Sequence, residues 1–470
     1  MTVAPAAGVG WDLHVPVVVI GGGAAGLVAA LAARAAGASV VVLERDALPR
    51  GSTALSAGLI PAAGTRWQRD AGIADDPARF AADIMAKAHN EPDPALVAAL
   101  TGHAAPVLEW LADAHGLAFS VIQDFTYPGH SAQRMHGLPS RSGAALMDAL
   151  RVAAERSGAD ILCDAHVTTL FYDEAEGRMG GVAYVRPDGA TERVACNALV
   201  LACSGYGGDR DLVARYVPGL AGAPYFGHPG NTGDAIRWGQ ALGAQLRDLS
   251  GHQGHGSLAH PASILITWAT ITEGGFQVNA DGHRFANESR GYSEQAADVL
   301  RQPGSVAWTV FDDRIAGIAR QFEDFRQAEA AGCVVSATDA RGLACGMGVP
   351  ADAFAMTLAG VEAMKCGGTD ELGRRFDGSP ALQPPYRAVR VTGALFHTQG
   401  GLAVGAGGAV LREDGRAFTS LFAAGGAACG VSGRQASGYL SGNGLLSAVV
   451  LGAIAGRSAA VRTGHATALG

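Results

Sequence analysis

The chain has 470 residues, of which 48% are hydrophobic and 17% are charged, so it is long enough for two domains with sizeable cores. Its formal net charge is −8 and it has no basic block, so nucleic acid is not an expected partner. The seven cysteines are scattered, and none forms the Cys-x-x-Cys pair of zinc knuckles, iron–sulfur clusters or attached haem. We therefore expect free thiols and no metal site.

Two apolar segments bear on the cellular location. No Lys or Arg precedes Arg34, so the start lacks the charged region of a secretory signal. Residues 15–33 carry no charge and are long enough to span a bilayer, but a glycine pattern inside them favours a strand and a buried helix. Residues 445–456 are also apolar, and their short length favours a core helix. We predict a soluble, cytoplasmic protein without a membrane span, and the composition is compatible with a homo-oligomer.

A strand followed by spaced glycines forms the first recognisable unit. Residues 17–20 have the β-branched composition of a buried parallel strand, and Gly21, Gly23 and Gly26 follow at the turn into an alanine-rich helix. These glycines permit a tight turn, close approach of a pyrophosphate and close helix–strand packing, with the helix amides facing the phosphates. Glu44 lies 18 residues beyond Gly26, where it can accept hydrogen bonds from a ribose. The pattern predicts a dinucleotide site; the alternative is a glycine turn in an ordinary α/β domain.

Small residues are dense in the next segment, residues 50–65. They allow the backbone to lie against a flat ligand, and Ser52, Thr53 and Ser56 offer hydroxyl donors. A nicotinamide-binding domain does not need such a segment here. A flavoprotein does, because the chain must travel from the adenosine towards the isoalloxazine. The segment therefore favours FAD as the cofactor, with a flexible surface loop as the alternative.

The remaining pattern is that of an α/β protein with an insertion. Helical spacing recurs over residues 76–118 and 143–156, and the composition changes between about 250 and 395, where we expect a cap domain. The other predicted elements are strands over 161–170 and 181–185 with a turn at Asp188 and Gly189, a strand over 199–203 running into glycines, a helix near Ala235 capped by Asp234, a strand over 421–424, and a last helix opening after Tyr439.

Seven short motifs occur in order along nearly the whole chain. They lie at residues 21–26, 53–65, 232–234, 281–288, 397–401, 423–425 and 441–443. In this set and order they resemble the flavoprotein subunits of the fumarate reductase and succinate dehydrogenase family, which also contains the ketosteroid dehydrogenases. The resemblance implies an α/β fold in which a Rossmann-like FAD-binding domain, residues 1–250 and 396–470, is interrupted by an α+β cap domain, residues 251–395. The active site is then expected between the two.

The resemblance also implies where FAD is held. The expected contacts are Gly21, Gly23, Ala24, Ala25, Gly26, Glu44, Arg45, Ser52, Thr53, Ser56, Ala57, Gly58, Val167, Ser204, Gly205, Asn231, Asp234, His397, Gly425 and Leu445. No second glycine fingerprint stands between a strand and a helix, so we expect no NAD(P)H domain. Electrons must then leave to an external acceptor, which can be a quinone, a carrier protein or oxygen.

The candidate active-site residues depart from the fumarate reductase pattern. Tyr292, four residues after the Phe-x-Asn-Glu element, stands where those enzymes place an acid arginine. Tyr439 stands where they place a second arginine, and Phe396 replaces the first of their paired histidines. Only His255 keeps a substrate-side histidine. Because a phenol has neither the charge nor the bidentate fork of an arginine, fumarate or succinate chemistry is not expected.

Tyrosines at both places resemble the ketosteroid dehydrogenases. In that group the tyrosine before the last glycine-rich turn polarises the ketone together with a backbone N–H. The tyrosine after Asn-Glu-Ser removes the α-proton, and hydride passes to flavin N5. The resemblance therefore implies an oxyanion site at Tyr439 and the N–H of Asn443, and a base at Tyr292. Arg290 can supply part of the cationic setting that a phenol base needs, and Tyr127 is a candidate third tyrosine by position only.

The sequence therefore predicts an FAD-dependent dehydrogenase that acts on CH–CH groups and introduces a C=C bond next to the ketone of a small cyclic substrate. The substrate resembles a ketosteroid or an oxocyclohexane carboxylate, and Arg434 either anchors its carboxylate or is an exposed arginine in a turn. In the structural alternatives Tyr292 is a loop residue and Tyr439 packs on the last helix. Two other functions stay open: a fumarate-reductase-type enoate reductase or carboxylate dehydrogenase using Arg290 or Arg434, and a flavin-binding subunit of a larger complex.

Overall fold

The computed structural model describes residues 1–123, 125–376 and 378–464, and its largest sheet has nine strands. In spatial order, the main path of the sheet is Thr2–Pro5, His166–Asp173, Arg178–Val185, Thr191–Leu201, Leu13–Ile20, Val40–Leu43 and Asp160–Leu162. Ala417–Ala423 pairs in parallel with Thr191–Leu201 and carries Ala409–Leu411 on its other side. The three strands in the middle of the path, beginning with Thr191–Leu201, run parallel, as the apolar β-branched runs indicate.

The first strand–helix unit forms as the glycine spacing predicts. Leu13–Ile20 leads into the helix Ala24–Ala35, which is buried along most of its length. Gly21 has a φ of 102°, and a Cβ on Gly26 would lie 1.8 Å from the carbonyl oxygen of Gly21. Gly21 is therefore required for its backbone conformation, and Gly26 is required for close packing. The last helix, Asn443–Arg462, packs against Ala24–Ala35 in the same core.

Two predicted elements are divided in the structure. The segment 76–118 forms two helices, Pro77–Lys87 and Pro94–His115, and each has its own aspartate cap and a proline in its first turn. The segment 161–170 contains parts of two strands, Asp160–Leu162 and His166–Asp173, which lie at different places in the sheet. Periodicity alone does not reveal either break, because apolar residues continue on both sides.

One predicted helix cap is wrong. Asp234 is the first residue of the helix Asp234–Leu242, and its cap position is taken by Gly233, whose φ is 80°. The carboxylate of Asp234 instead accepts a hydrogen bond from the Thr232 hydroxyl at 3.0 Å. The helix Gly143–Arg156 agrees with its prediction.

A second sheet has six strands, which pair in antiparallel fashion. Its spatial order is Ile264–Leu265, His252–Ala259, Tyr386–Thr398, Val306–Asp312 and Phe276–Val278, with Val334–Ala337 also paired to Tyr386–Thr398. The helices Asp313–Ala319, Glu323–Ala330, Ala340–Met347 and Ala351–Lys365 supply buried residues to the core of this unit. The fold is therefore an α/β sheet unit interrupted by an α+β unit, as predicted, and the domain boundaries at 250 and 395 stay a prediction.

Smaller elements complete the described chain. Two short sheets pair Leu246–Arg247 with Gly401–Leu402, and Ile60–Pro61 with Met135–Gly137 and Ser120–Val121. The other α-helices are Arg66–Asp70, Arg210–Tyr216, Ala269–Thr272 and Tyr292–Leu300. Short 3₁₀ turns lie at Ser52–Leu55, Pro218–Leu220, Glu288–Arg290, Pro303–Ser305, Gly425–Ala427 and Ala436–Gly438.

Two of the described helices are apolar and long enough to cross a membrane by length and composition alone, Pro94–His115 and Asn443–Arg462. Half of the apolar window of the first and 67% of that of the second are buried inside the protein. Core helices of soluble proteins meet the same criteria. The lack of a membrane span therefore stays a prediction.

Candidate active site

A cavity opens where the central parallel strands end. Leu13–Ile20 and Val40–Leu43 lead into Gly21 and Glu44, which both line it. The helix Ala24–Ala35 begins at the same edge and has no side-chain cap, so its first N–H groups are free for a ligand. This is the edge at which open α/β sheets bind dinucleotides.

The residues around this cavity fit a dinucleotide. A Cβ on Gly23 would meet nothing within 4 Å, so open space lies where the pyrophosphate is expected. The carboxylate of Glu44 is fixed by the N–H groups of Gly22 at 2.6 Å and Asp46 at 3.0 Å, which holds it at the strand end. The predicted FAD contacts that line this cavity are Gly21, Gly23, Ala24, Ala25, Glu44, Arg45, Ser52, Thr53, Val167, Ser204, Asn231 and Asp234.

A second cavity adjoins the first. Ser52, Thr53, Ser204, Gly426 and Ala448 line both, so one extended ligand can pass from one to the other. Ser56, Ala57, His397 and Leu445, which were also predicted to contact FAD, line only the second. We call it the substrate cavity.

Four of the predicted FAD contacts line neither cavity: Gly26, Gly58, Gly205 and Gly425. They act through close backbone packing instead. A Cβ on Gly205 would lie 2.0 Å from the Thr398 hydroxyl oxygen, for example. Such glycines permit the close packing that forms the cavity walls, and their contact with FAD stays a prediction.

Three tyrosines meet in the substrate cavity. The rings of Tyr292 and Tyr439 have centroids 6.1 Å apart, and Tyr127 lies 6.2 Å from Tyr292. Tyr292 and Tyr439 are buried, at 7% and 5% exposure. The structure therefore brings together two tyrosines selected by motif and one selected only by position. Their catalytic roles remain predictions.

Tyr439 lies over the start of the last helix. Its hydroxyl oxygen accepts the N–H of Gly444 at 3.5 Å, and also receives hydrogen bonds from the Gly442 backbone and the Tyr292 hydroxyl. Burial raises the pKa of Tyr439 to about 12, and these three donors oppose that rise. Tyr439 is therefore a neutral phenol that can donate its proton to a ligand oxygen.

Tyr292 occupies a different setting. Its hydroxyl donates to Tyr439 and accepts from Ser441. Burial, followed by the proximity of Tyr439, raises the pKa of Tyr292 well above its ordinary value of 10. Arg290, which was expected to provide a cation, instead pairs with Asp298 and leaves 51% of its side chain exposed. The expectation of a cationic setting is wrong, because the arginine is held by this carboxylate.

The ring of His255 is stacked between Tyr292 and Phe396. The centroid distances are 4.7 and 4.9 Å, and the planes differ by 22° and 23°. Nδ1 of His255 accepts the N–H of Ser257 at 3.1 Å, which assigns the ring proton to Nε2. Burial lowers the pKa of His255 to about 3, so the ring is a neutral donor at physiological pH.

Two predicted catalytic residues lie outside the substrate cavity. The N–H of Asn443 donates to the carbonyl oxygen of Leu440 at 3.0 Å, so the predicted oxyanion donor is already used, while the N–H of Gly444 donates to the Tyr439 hydroxyl. Arg434 leaves 70% of its side chain exposed and pairs with Asp248 at 3.3 Å. The structure therefore favours the exposed-arginine alternative over a carboxylate anchor.

Positive charge is absent from the walls of the substrate cavity in the part of the chain that the structure describes. No Lys or Arg lines it, and its histidines, His255 and His397, have pKa values lowered by burial to about 3 and about 4. Among the described residues, the acidic residue in its lining is Asp324, on the helix Glu323–Ala330. Burial, and then Glu323, raises the pKa of Asp324 to about 6. A dicarboxylate would therefore meet the Asp324 carboxylate and no lysine or arginine among the described lining residues, although Arg141 stacks on the wall residue Phe322 at 5.8 Å.

Sequence reasoning missed part of the lining. The missed residues include Phe226, Gln253, Leu265, Thr267, Trp268, Phe322, Asp324 and Gly426. Most belong to segments without a recognised motif, and Gln253 and Leu265 reach the cavity on strands of the second sheet. Ser441 and Gly442 lay inside a recognised motif, and Gly444 follows it directly, so helix-start geometry could have selected these three.

The joined cavities define a flavoprotein oxidoreductase, and comparison with known proteins agrees. The model of the FAD binding domain family matches residues 16–445. The chain therefore belongs to the FAD-binding flavoprotein family of fumarate reductases and succinate dehydrogenases. It is an FAD-dependent oxidoreductase that acts on CH–CH bonds, which confirms the predicted family, cofactor and enzyme class.

Relatives with different substrates in their names are similar to this chain. A probable fumarate reductase of Shewanella frigidimarina is 29% identical over 445 residues, covering 94% of this chain and 74% of the relative. A 4-oxocyclohexanecarboxylate 2-dehydrogenase of Sinomonas cyclohexanicum is 26% identical, covering 94% and 92%. The solved 3-ketosteroid-Δ4-(5α)-dehydrogenase of Rhodococcus jostii RHA1, in complex with 4-androstene-3,17-dione, has a TM-score of 0.74 and 25% identity, covering 97% and 99%.

Proposed function

We propose that this protein is an FAD-dependent dehydrogenase that introduces a C=C bond next to the ketone of a small, uncharged cyclic substrate. The observation that carries the proposal is the wall of the substrate cavity. Three tyrosines meet there, and the described residues supply no Lys or Arg to bind a carboxylate. Two relatives whose names contain a cyclic ketone or ketosteroid substrate support the same chemistry.

The ketone is activated at Tyr439. An α-proton of a simple ketone is too weakly acidic to be removed directly, but donors aimed at the developing enolate oxygen lower the barrier by several kcal/mol. Tyr439 can donate its hydroxyl proton to that oxygen, while the N–H of Gly444 supports the phenol oxygen from the helix start. The neutral ring of His255 stacks on Tyr292 and holds it in the cavity wall.

Removal of the α-proton is assigned to Tyr292. Bound FAD supplies the acceptor for the hydride that leaves the β-carbon, as the family requires. The substrate then loses one proton and one hydride, and a C=C bond remains. The stacked aromatic wall of His255 and Phe396 and the apolar lining keep water from competing at this site.

The alternative is a reductase of fumarate or a related enoate, which fumarate reductases among the relatives support at 26–30% identity. That function needs a cation for the carboxylate. The displaced arginines that could serve are Arg290 and Arg434, and both are exposed and paired with aspartates outside the substrate cavity. The same lack of a cation weighs against a carboxylate-bearing cyclic ketone.

Anaerobic reduction of the bound flavin tests the proposal. We expect cyclohexanone or 4-methylcyclohexanone to bleach the flavin faster than succinate or 4-oxocyclohexanecarboxylate does. We also expect fumarate to reoxidise the dithionite-reduced enzyme slowly. Rapid reoxidation by fumarate, with no bleaching by any neutral ketone, would establish the reductase alternative.

A further inference from the structure

Tyr292, the residue assigned as the base, can act only if its own phenol proton is removed. Burial raises the pKa of Tyr292 well above 10, so the phenol is protonated in the resting enzyme. A protonated phenol can take an α-proton only if its own proton moves to another group. Arg290 pairs with Asp298 and therefore does not remove the need for a group that accepts the phenol proton. An acceptor must therefore lie within reach of Tyr292 on a side that the substrate does not occupy.

A small cavity adjoins the two tyrosines. Tyr292, Tyr439 and Ser441 line both the substrate cavity and this small cavity, and Lys87 and Glu294 line only the small one. About 10 Å³ of its space admits the centre of a water molecule, which is room for about one water. The two tyrosines therefore border a small polar cavity on a side other than that of the substrate cavity.

Glu294 is the acceptor that this route offers. It lies in the first turn of the helix Tyr292–Leu300, and only 13% of its side chain is exposed. Its Oε1 contacts Nζ of Lys87 at 2.6 Å, whereas its Oε2 is buried and has no hydrogen-bond partner among the described residues. A Cβ on Gly291 would lie 2.8 Å from this Oε2, so a glycine there leaves the carboxylate its room.

The charges around Glu294 suit proton exchange. Burial raises the pKa of Glu294, while Lys87 and, more weakly, Arg290 lower it. The net shift is upward from 4.5, which brings the carboxyl group closer to the working range of a general base. Tyr292, Tyr439 and Ser441 share the small cavity with Glu294, and the cations in its lining are Lys87 and Arg290. An unpaired buried carboxylate oxygen is costly, so it indicates a group that binds a proton or a water in function.

We propose that Glu294 is the proton acceptor behind Tyr292, in a relay that rests on the proposed ketone dehydrogenation. The Cα–H bond of the substrate breaks and its proton goes to the Tyr292 oxygen. The phenol proton, which the resting hydroxyl directs at Tyr439, turns to a water in the small cavity and passes to the carboxylate of Glu294, which becomes a carboxylic acid. The hydride leaves the β-carbon for FAD, so protons and electrons balance. Lys87 holds Oε1 by its ion pair and thereby fixes the Glu294 carboxylate beside the small cavity, which makes Lys87 a positioning residue.

Three variants test the relay by the rate of flavin reduction at saturating cyclic ketone. We expect Glu294→Gln to lower this rate about 100-fold and to leave ketone affinity within about twofold. Glu294→Ala should lower the rate by a similar factor. Added formate should raise the rate of this variant at least about tenfold, because formate can enter the space of the lost carboxylate. Glu362→Gln is the matched control. Like Glu294, Glu362 pairs with a lysine, Lys365, at 3.1 Å and has a buried Oε2 without a hydrogen-bond partner in the described chain. Unlike Glu294, it lies in the second sheet's unit.

The pH profile separates a relay from a structural role. The wild-type rate should rise with pH as Glu294 loses its proton, and this inflection should disappear in Glu294→Gln. The relay is overturned if the rate of flavin reduction in Glu294→Gln is within about threefold of the wild-type rate. It is also overturned if formate fails to raise this rate in a Glu294→Ala enzyme that still binds FAD.

A second readout distinguishes failure of the relay from failure of the proposed function. In the pre-reduced enzyme no hydride can leave, so loss of α-deuterium from tetradeuterated cyclohexanone reports only the proton step. Exchange in the wild type that is lost in Glu294→Gln, without any bleaching of oxidised enzyme, would support the relay and overturn the desaturation. Normal bleaching and normal exchange in Glu294→Gln would overturn the relay and leave the desaturation intact.

Discussion

The hydroxyl oxygen of Tyr439 lies 3.5 Å from the N–H of Gly444, in the first turn of the last helix. The phenol and the positive end of this helix therefore act on the same point of the substrate cavity. Asn443, the residue between Gly442 and Gly444, has its own N–H bonded to Leu440 and does not contribute. This arrangement predicts that negative charge on a ketone oxygen is stabilised at Tyr439.

Removing the Tyr439 hydroxyl should therefore affect the reaction more than cofactor binding. We expect Tyr439→Phe to keep bound FAD and to lower the rate of flavin reduction by cyclic ketones about 10²- to 10³-fold, the usual effect of losing one oxyanion donor. Stopped-flow absorbance of the flavin measures this rate. Tyr386→Phe is the control, because Tyr386 lies in the second sheet outside the substrate cavity. A Tyr439→Phe enzyme with the wild-type rate would contradict the assignment.

Substitution of two glycines of the fingerprint should affect protein stability and FAD affinity separately. Alanine at Gly26 would place a Cβ 1.8 Å from the Gly21 carbonyl oxygen, so we expect Gly26→Ala to lower the melting temperature even without FAD. Alanine at Gly23 would meet nothing within 4 Å of the protein, so the apoprotein of Gly23→Ala should melt normally. Its FAD affinity should nevertheless fall at least about tenfold, because the methyl group occupies the pyrophosphate space. Calorimetry of apoproteins and FAD titration measure the two effects, and equal losses of stability would contradict this division.

Asp324 should discriminate against anionic substrates. We expect Asp324→Asn to raise kcat/KM for 4-oxocyclohexanecarboxylate about tenfold and to leave that for cyclohexanone within about twofold, because only the charged substrate is repelled. In the wild type, activity with the carboxylate should improve as the pH falls through about 6, where Asp324 becomes protonated. Asp148→Asn is the control, since Asp148 is an exposed aspartate that does not line the cavity. An unchanged preference in Asp324→Asn would place the substrate away from this wall.

Buried histidines should make stability depend on pH. Burial lowers the pKa of His255 to about 3 and that of His136 to about 4, from the ordinary value of 6.5. Between these values the unfolded chain binds more protons than the folded protein, so the free energy of unfolding falls as the pH is lowered below about 6.5. At about pH 4.5 each histidine costs about 2–3 kcal/mol relative to neutral pH.

Denaturant unfolding of the FAD-loaded protein from about pH 8 to about pH 4.5 measures this slope. His255→Phe preserves an aromatic ring between Tyr292 and Phe396 and should reduce the slope by about one proton. His103→Gln, a change at an exposed histidine, serves as the control. A His255→Phe slope equal to that of the wild type would mean that His255 is protonated in the folded protein.

The sequence was most informative where chemistry requires a local pattern. The turn from Gly21 to Gly26 and the acid at Glu44 could be read directly, because one strand, one turn and one helix determine them. Tyr292 and Tyr439 could be found because each adjoins a recognisable motif. Their rings come within 6.1 Å only through the folded chain, which periodicity does not encode.

Other residues could not be assigned from the sequence because their surroundings decide their role. Arg434 and Arg290 are chemically able to bind a carboxylate, but Asp248 and Asp298 hold them outside the substrate cavity. Asp324 has no motif at all, and it reaches the cavity because its helix packs beside the strand Ile264–Leu265. Which carboxylate an arginine pairs with, and which strand a helix packs against, depend on residues distant in sequence.

The strand Tyr386–Thr398 is hydrogen-bonded to three other strands of the second sheet and ends in Phe396 and His397. This side of the substrate cavity is thus part of a stiff, laterally supported strand. Tyr127, by contrast, lies in the cavity wall outside any described helix or strand. Enlarging the accepted ring by directed evolution should therefore favour substitutions near Tyr127, since changes along the strand would also disturb the packing that keeps the sheet folded.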